Sequence, residues 1–326
     1  MALDVTHVWL MNMGGPDRPE AVQPFLYELL NDYDLIQFPI PWLQWVFAAI
    51  ISRRRARLVT REYARMGDAS PQLAIVREQA SALQKELGQG FLCLPVFRYW
   101  GEGAVDAAAQ LGPEDTVVLL SLYPHACGAT TTSSLRDARK ALKGHPGRVV
   151  EVERYPRHPA WIAALRECIE EACQGLEAPH LLFSAHGMPQ RRIDNGDPYL
   201  EQIQATVQAV TEGMERPHSM SFQSKVGPLD WLKPSTLDHV QQLGADGVKE
   251  LVIIPVAFTS EHIETLVEIG EQIRDVALEA GVEHFHRAAT VSARPTFIAG
   301  LAQLTRGALS GTVCPTDRTC TACTCC

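Results

Sequence analysis

The chain has 326 residues, of which 46% are hydrophobic and 21% are charged, and its formal net charge is −9. This composition is typical of a folded globular protein and excludes a chain that is disordered throughout. The acidic balance disfavours general nucleic-acid binding, which needs a basic surface. The first residues, MALDVTHVWLMNMGGP, show no secretory signal, and no apolar run reaches the roughly 18 residues of a membrane-spanning helix. We therefore expect a cytoplasmic protein.

Short apolar segments alternate with longer segments of helical periodicity along the chain. Amphipathic stretches of roughly 15 to 30 residues separate most of the apolar segments, for example 72–87, 160–174 and 200–213. Apolar strands separated by helices indicate parallel strands buried on both faces, and therefore a doubly wound α/β fold. The eight predicted strands are 7–13, 91–97, 116–122, 149–153, 180–185, 219–223, 251–257 and 284–288.

The predicted strands divide near residue 150 into two similar halves. We predict an N-terminal Rossmann-like domain over residues 1–150, a C-terminal Rossmann-like domain over 151–310 and a cysteine-rich tail over 311–326. Ligands of such sheets bind at the carboxyl ends of the strands, so the residues that directly follow the apolar segments are candidate functional residues. They lie in MNMGGP, Arg98-Tyr99, Tyr123-Pro124-His125, SAHG and FTSEH.

One segment of the N-terminal half is unusually apolar. Residues 35–51, LIQFPIPWLQWVFAAII, are too short to span a bilayer as a straight helix, and Pro39 and Pro41 interrupt their start. A cationic cluster follows at Arg53, Arg54, Arg55 and Arg57. Aromatic side chains beside such a cluster favour a membrane-interface segment, or a lip over an apolar ligand, within residues 35–57. The alternative is a buried helix with a solvated basic end.

A run of carboxylates begins where the seventh predicted strand ends, in SEHIETLVEIGEQI. At about 100° per residue its glutamates fall within an arc of roughly 80° on one helix face. Such a stripe is usually a solvated face. Because this one starts at a strand end, it could also pass a hard divalent cation inward. The four glutamates are Glu261, Glu264, Glu268 and Glu271.

Two histidines lie at the same predicted edge of the C-terminal half. His186 follows the apolar segment LLFSA, and His262 lies within the carboxylate run. A lone histidine is more often structural, but neutral imidazole also serves as a base or a metal ligand, and the company of Glu264 favours a site. A serine nucleophile is disfavoured because SAHG does not match G-x-S-x-G. A dinucleotide site is disfavoured because MNMGGP lacks G-x-G-x-x-G.

The nine cysteines are unevenly distributed, with five of them in residues 314–326. Disulfides are disfavoured where no export signal is found, and thiolates this dense favour metal ligation. Four thiolates in the seven residues 320–326 are too crowded for one mononuclear zinc site. A [2Fe–2S] cluster is the preferred interpretation, with a further ligand from elsewhere such as Cys127, Cys168 or Cys173. Zinc and redox-active or adventitious thiols are the alternatives.

Six segments together resemble the ferrochelatase family, in order and at comparable spacing. They are LMNMGGP (10–16), VFRYW (96–100), YPHACGATTTSSL (123–135), FSAHGMPQRRIDNGDPY (183–199), FQSKVGPLDWLKPST (222–236) and PVAFTSEHIETLVEI (255–269). The resemblance spans the chain from residue 7 to about 300. It implies two similar Rossmann-like domains with parallel sheets flanked by helices, as in class II chelatases. It also implies a lyase that inserts Fe²⁺ into a porphyrin and releases two pyrrole protons.

The resemblance implies a role for individual residues. The SAH motif places the family's histidine at His186, as proton acceptor or as ligand of the iron substrate, and both roles stay open. The SEHIE motif places the catalytic glutamate at Glu264, a second candidate iron ligand, with His262 beside it. An acidic track for cation entry or proton exit is expected at Glu261, Glu268 and Glu271. The implied porphyrin-binding residues are Met13, Arg54, Arg55, Tyr63, Ser70, Arg98, Tyr99, Tyr123 and Trp231.

The sequence departs from the family pattern where Glu261 replaces an aspartate and where Gly270 removes a frequent carboxylate. Met13 resembles the branch that uses protoporphyrin IX, so we expect protohaem as the product, formed in the terminal step of haem biosynthesis. The alternatives are a coproporphyrin III ferrochelatase and a non-catalytic haem- or iron-binding protein on the same scaffold.

Some members of the family carry a C-terminal [2Fe–2S] cluster. The expected ligands here are Cys320, Cys323 and Cys325 with one further thiolate from Cys127, Cys168, Cys314 or Cys326. The nearly insoluble substrate and product favour peripheral contact with the inner face of a membrane, and a homodimer is compatible with the sequence.

Overall fold

The computed structural model describes residues 5–36, 40–225 and 227–312. The chain divides into two compact units. The first contains the residues up to Tyr155 together with those from Ser292 onward, and the second contains Pro156–Val291. Each unit has one four-stranded parallel sheet flanked by helices, which confirms the predicted α/β class with two similar halves.

All eight predicted strands are confirmed, with ends within three residues of the prediction. They are β1 (Thr6–Gly14), β2 (Phe91–Trp100), β3 (Thr116–Ser121), β4 (Val149–Val152), β5 (His180–His186), β6 (His218–Gln223), β7 (Glu250–Pro255) and β8 (His284–Arg287). The first sheet has the order β2-β1-β3-β4 and the second β6-β5-β7-β8, and every pair is parallel. The same relative order in both sheets places the first strand of each unit at the centre.

The central strands are buried on both faces. In β1 the residues Val8, Trp9 and Leu10 are inaccessible to solvent, and in β7 so are Leu251 and Val252. A strand can be apolar at consecutive positions only where helices cover both sides of the sheet. This is why short apolar runs, rather than alternation, mark the strands in the sequence.

The helices cover these sheets. They are α1 (Val22–Asn31), α2 (Gln44–Ala64), α3 (Gln72–Leu87), α4 (Ala104–Ala108), α5 (Ser133–Ala141), α6 (Pro159–Ala172), α7 (Gln190–Asp194), α8 (Tyr199–Thr211), α9 (Thr236–Ala245), α10 (Arg274–Glu279) and α11 (Pro295–Ser310). Two segments, Gly128–Thr132 and Glu264–Ile273, are π-helical. Short 3₁₀ turns span Pro19–Ala21 and Pro41–Leu43.

The last helix differs from the predicted domain division, which assigned residues 151–310 to the C-terminal half. α11 packs on α3, β3 and β4 and so belongs to the first unit. Its buried residues include Phe297 and Leu301, and the Arg306 guanidinium donates to the Glu86 carbonyl oxygen at 2.9 Å. An amphipathic pattern indicates that a helix buries one face, but it does not indicate which sheet receives that face.

The apolar segment predicted at residues 35–57 leads into α2, which is apolar on an exposed side. Trp42 and Trp45 are 73% and 58% exposed, and Ile50 is also exposed. The opposite side, including Ala48, is buried, and α2 packs against α1. The alternative of a buried helix with a solvated basic end is therefore wrong, because the apolar part of α2 is itself partly exposed. No helix within the described ranges is long and apolar enough to cross a membrane, and residues 37–39 lie outside those ranges.

Candidate active site

The carboxyl end of the second sheet brings the two principal candidates into contact. β5 ends at His186, and Glu264 opens the π-helical segment that follows β7. His186 Nδ1 lies 2.8 Å from Glu264 Oε2, and the two side chains are 42% and 28% exposed. Because Nδ1 faces the carboxylate, Nε2 is the imidazole nitrogen left for a substrate.

Ser224 joins this pair to a second carboxylate. It directly follows β6 and has φ 63°, a left-handed conformation that is uncommon for a residue other than glycine. Its backbone nitrogen donates to Glu268 Oε1 at 2.7 Å, and its Oγ lies 2.5 Å from Glu268 Oε2 and 3.3 Å from Glu264 Oε2. One hydroxyl has a single proton, so it cannot donate to two ionised carboxylates at once. A proton taken up by Glu268 and donated to Ser224 Oγ, with the Ser224 hydroxyl donating to Glu264, would satisfy both contacts.

The environment shifts the pKa values of these groups in opposite directions. Burial raises the pKa of Glu264, but the charge and hydrogen bond of His186 outweigh burial and lower it to about 2. Burial and the neighbouring charge of Glu264 raise the pKa of Glu268 above its ordinary range. Partial desolvation acts to lower the pKa of His186, and the Glu264 and Glu268 carboxylates outweigh it, so that the net shift is upward. Neighbouring acids with opposite shifts are typical of sites that transfer protons.

The carboxylate run is π-helical, so the predicted α-helical spacing does not hold. Its i→i+5 hydrogen bonding is rare and frequently marks functional sites. Glu261 precedes the helix, and its carboxylate pairs with Arg287 Nη1 at 2.9 Å and accepts from Thr290 N at 2.9 Å. Glu261 is therefore held by a cation away from the carboxylates that meet at Ser224. Glu271 lies further along the same helix.

His262 interacts with Glu264 electrostatically. Its ring packs edge-on against Phe258, with centroids 4.5 Å apart, and its backbone nitrogen donates to Thr265 Oγ1 at 3.0 Å. Burial lowers the pKa of His262, partly offset by Glu264 and Glu261. The imidazole is consequently neutral near pH 7, whereas His186 is the more basic of the two.

Trp231 lies over the turn that follows His186. It forms an isolated antiparallel bridge with Pro189, and the Leu232 nitrogen donates to the Met188 carbonyl at 2.9 Å. A Cβ atom at Gly187 would come within 2.7 Å of the Gln223 carbonyl oxygen and 3.2 Å of the Trp231 ring. Glycine is therefore needed here to let the indole approach the turn.

In the first unit, a buried carboxylate that the sequence analysis missed organises two predicted porphyrin-binding residues. Asp32, directly after α1, is fully buried and accepts from Arg98 Nη2 at 2.8 Å and Tyr99 Oη at 3.0 Å. Ser133, at the start of α5, also donates to it. The Arg98 guanidinium lies over the Tyr99 ring, 4.9 Å from its centroid, and remains 19% exposed.

The other predicted porphyrin-binding residues of this unit occupy two regions. Met13, at the end of β1, and Tyr123, after β3, are half-buried and share the carboxyl edge of the sheet with Arg98 and Tyr99. A second group lies on and just after α2, with its cations exposed and its other members buried: Arg54, Arg55, Tyr63 and Ser70.

A family model described as Ferrochelatase matches residues 6–309. The chain belongs to the ferrochelatase family. Curated proteins named Ferrochelatase are similar over nearly the full length. The protein of Geotalea uraniireducens (strain Rf4) is 41% identical over 314 residues, which cover 94% of this chain and 98% of the relative. That of Aquifex aeolicus (strain VF5) is 41% identical over 305 residues, covering 92% and 98%. The resemblance read from the six segments is confirmed.

Solved structures support the fold of this ferrochelatase-family chain. The structure described as SirB from Bacillus subtilis with Fe³⁺ aligns with a TM-score of 0.59, covering 94% of this chain and 97% of the other. At 10% sequence identity, this likeness concerns the fold alone.

The cysteine prediction for this ferrochelatase-family chain falls mostly outside the described residues, because Cys314, Cys320, Cys323, Cys325 and Cys326 all follow residue 312. Cys127 and Cys168 are described and are 6% and 1% exposed. Across the described ranges, no group of three or more histidine, cysteine, aspartate or glutamate side chains is arranged to hold a metal ion.

Proposed function

We propose that the protein is a ferrochelatase, a lyase that inserts Fe²⁺ into protoporphyrin IX to form protohaem with release of two protons, in the last step of haem biosynthesis. The observation that carries the proposal is the contact of His186 with Glu264, joined through Ser224 to Glu268, at the carboxyl end of the second sheet. A ferrochelatase-family chain with this group intact has the base and the carboxylates that metal insertion needs.

Insertion requires that two pyrrole N–H protons leave while the ion enters, so two protons must be accepted in each turnover. His186 is the first acceptor, because the adjacent carboxylates raise its pKa and stabilise the imidazolium. Glu264, whose pKa is lowered to about 2, is a poor acceptor and stays ionised beside His186. Glu268, whose pKa is raised, is the better second acceptor. Ser224 bridges the two carboxylates and offers a path between them.

The choice of protoporphyrin IX rests on Met13, an apolar half-buried side chain at the end of β1. In the first unit, Arg98, Tyr99 and Tyr123 extend the same edge, and the exposed Arg54 and Arg55 are suited to propionate groups. In the second unit, Trp231 offers a ring face beside the His186 turn.

Peripheral membrane contact on the cytoplasmic side is proposed from the exposed Trp42 and Trp45 next to the arginines of α2. Interfacial aromatics with neighbouring cations bind anionic lipid surfaces. The protein should co-sediment with vesicles containing anionic lipid and far less with neutral ones. A Trp42→Ser/Trp45→Ser double variant should lose this binding, and equal binding by parent and variant would refute the assignment.

A [2Fe–2S] cluster on the tail is a further proposal. The burial of Cys127 and Cys168 favours a fourth ligand from within the tail, so that Cys314 or Cys326 joins Cys320, Cys323 and Cys325. Anaerobically purified protein should show the visible absorption of an iron–sulfur cluster. A colourless protein with stoichiometric zinc would refute the cluster.

The enzyme proposal is tested by anaerobic incubation with Fe²⁺ and, in parallel, protoporphyrin IX or coproporphyrin III. Depletion of free-porphyrin fluorescence should be faster with protoporphyrin IX and should be lost in His186→Ala. Faster turnover of coproporphyrin III would show that protoporphyrin IX is not the preferred substrate. No turnover of either porphyrin would refute the proposed activity.

A further inference from the structure

The two oxygens of Asp32 have separate sets of partners. Oδ2 accepts from Arg98, Tyr99 and Ser133, whereas Oδ1 accepts from Arg136 Nη2 at 3.1 Å and from the backbone nitrogen of Asp34 at 2.8 Å. An ionised carboxylate accepts about four hydrogen bonds, so these donors saturate it. Burial acts to raise the pKa of Asp32, but the bonds from Ser133, Asp34 N and Arg98 outweigh burial and lower it.

Asp32 joins three elements at the carboxyl edge of the first sheet. It follows α1, while Arg98 and Tyr99 stand at the end of β2 and Ser133 opens α5. Of the three residues that bond to Oδ2, Arg98 is the one that is partly exposed, and it is constrained at several points. Its Nη2 is bonded to Asp32, its Nε donates to Ser133 Oγ at 2.9 Å, and its plane lies over Tyr99. A guanidinium held at these points has one orientation in which to present its remaining N–H groups.

We infer that Asp32 is a positioning residue for porphyrin binding, which acts by fixing the orientation of Arg98 and Tyr99. The inference rests on the proposed function, because Arg98 and Tyr99 need a fixed orientation only if a porphyrin binds against them. Asp32 itself is fully buried and does not reach a ligand. Its effect on binding is therefore transmitted by the two side chains that it holds.

The substitution Asp32→Asn keeps the shape of the side chain but removes its charge and one of its two acceptor oxygens. Asparagine has one carbonyl oxygen, and its amide nitrogen must then face one of the two sets of donors. The Tyr99 and Ser133 hydroxyls can turn and accept from that nitrogen, but a guanidinium cannot accept. Arg98 therefore loses its hydrogen-bond partner when the amide nitrogen takes the Oδ2 position, and it loses the negative charge of Asp32 in either orientation.

Asp115 provides a matched control at the opposite edge of the same sheet. It immediately precedes β3, and its carboxylate accepts from Gly112 N at 2.7 Å and Val5 N at 3.1 Å and lies 3.1 Å from His7 Nε2. Like Asp32 it is an aspartate that ties elements of the first unit together. Asp115→Asn should therefore reproduce a loss of stability without affecting the carboxyl edge.

Porphyrin affinity is measured by protoporphyrin IX fluorescence in the absence of iron, and turnover by haem formation, with melting temperature recorded for each protein. Asp32→Asn should weaken porphyrin binding and raise the KM for porphyrin by roughly 10- to 100-fold, the scale expected when one charge-assisted hydrogen bond to the ligand is lost. The KM for Fe²⁺ should stay at the parent value. Asp115→Asn should lower the melting temperature and leave porphyrin affinity at the parent value.

A double-mutant cycle tests whether the effect passes through Arg98. In an Arg98→Leu background, Asp32→Asn should add little further loss of affinity, because the group that it positions is gone. If Asp32→Asn does not fold, Ser133→Ala removes one anchor of Arg98 and should weaken binding in the same direction to a smaller extent.

Parent-like porphyrin affinity in folded Asp32→Asn, or losses from Asp32→Asn and Arg98→Leu that multiply independently, would overturn the inference while leaving the proposed function in place. If the parent protein itself neither bound porphyrin nor formed haem, the proposed function and the inference would both fail.

Discussion

Replacing Glu264 by glutamine removes the charge that faces His186 while keeping the size and hydrogen-bonding capacity of the side chain. Two opposing influences act on His186, namely desolvation and the nearby carboxylates. In Glu264→Gln the larger carboxylate contribution is lost and desolvation remains. We therefore predict that the pKa of His186 falls in the variant.

The size of the lost interaction follows from the geometry. Unit charges 2.8 Å apart attract by about 1.5 kcal/mol in bulk water and about 6 kcal/mol at an effective dielectric constant of 20. The His186 side chain is 42% exposed, so solvent screening places the interaction near the lower limit. A loss of about 1 to 2 kcal/mol is expected, and it lowers the pKa of His186.

The assay is a pH titration of ¹⁵N-histidine-labelled protein by NMR. The chain has 11 histidines, and the His186 signal is assigned by its absence from the spectrum of His186→Gln. Glu271→Gln makes the same chemical change on the same helix, and Glu271 is not among the causes of the His186 shift. An unchanged or higher pKa of His186 in Glu264→Gln, or an equal fall in Glu271→Gln, would refute the reasoning.

The same pair makes a pH-dependent contribution to stability. A histidine with a raised pKa stabilises the fold below the ordinary imidazole pKa, and this contribution is lost as the pH rises through the raised value. Glu264 contributes above its ordinary pKa of 4.5 and loses that contribution as the pH falls toward about 2. The stability difference between the parent and Glu264→Gln should therefore be greatest near pH 5 to 6 and decrease toward pH 8.

Three further substitutions test other contacts. Ser224→Ala removes the hydroxyl between two carboxylates and should lower the rate of haem formation. It should also reduce the free energy of unfolding, measured by urea titration, by about 1 to 2 kcal/mol. Parent-like activity would contradict the role of Ser224. Arg287→Met leaves Glu261 without its cation and should reduce the free energy of unfolding by about 2 kcal/mol in the same titration. An unchanged urea midpoint would show that the ion pair does not contribute to stability. Gly187→Ala places a Cβ atom 2.7 Å from a carbonyl oxygen and should lower both melting temperature and turnover, while retention of both would disprove the close packing.

The fold was largely predictable because its information is local. Each strand is a short apolar run, and strands such as β1 and β7 can be predicted from their own residues, without knowing which strands they pair with. The π-helical winding from Glu264 was not predictable, because the carboxylate and apolar positions fit an α-helical pattern equally well. The assignment of α11 to the first unit was also missed, since the choice of sheet depends on packing between residues far apart in the chain.

The site was predictable in part, for the same reason. His186 ends β5, Glu264 follows β7, and both lie inside long family motifs, so both position and resemblance point to them. Asp32 has no such signal, because its contacts reach across 66 residues to Arg98 and 101 residues to Ser133. Ser224 has a signal in the sequence, since it directly follows the apolar end of β6 within FQSKVGP. The pairing of Glu261 with Arg287 was likewise invisible in a pattern read along one helix.

The central claim is that His186, activated by Glu264, accepts a pyrrole proton while Fe²⁺ enters the macrocycle. The most direct measurement is anaerobic single-turnover haem formation from Fe²⁺ and protoporphyrin IX, followed by absorption together with proton release in a weakly buffered solution. We predict two protons released for each haem formed by the parent, and a large loss of rate in His186→Ala with porphyrin affinity retained. Haem formation by His186→Ala at the parent rate would contradict the claim.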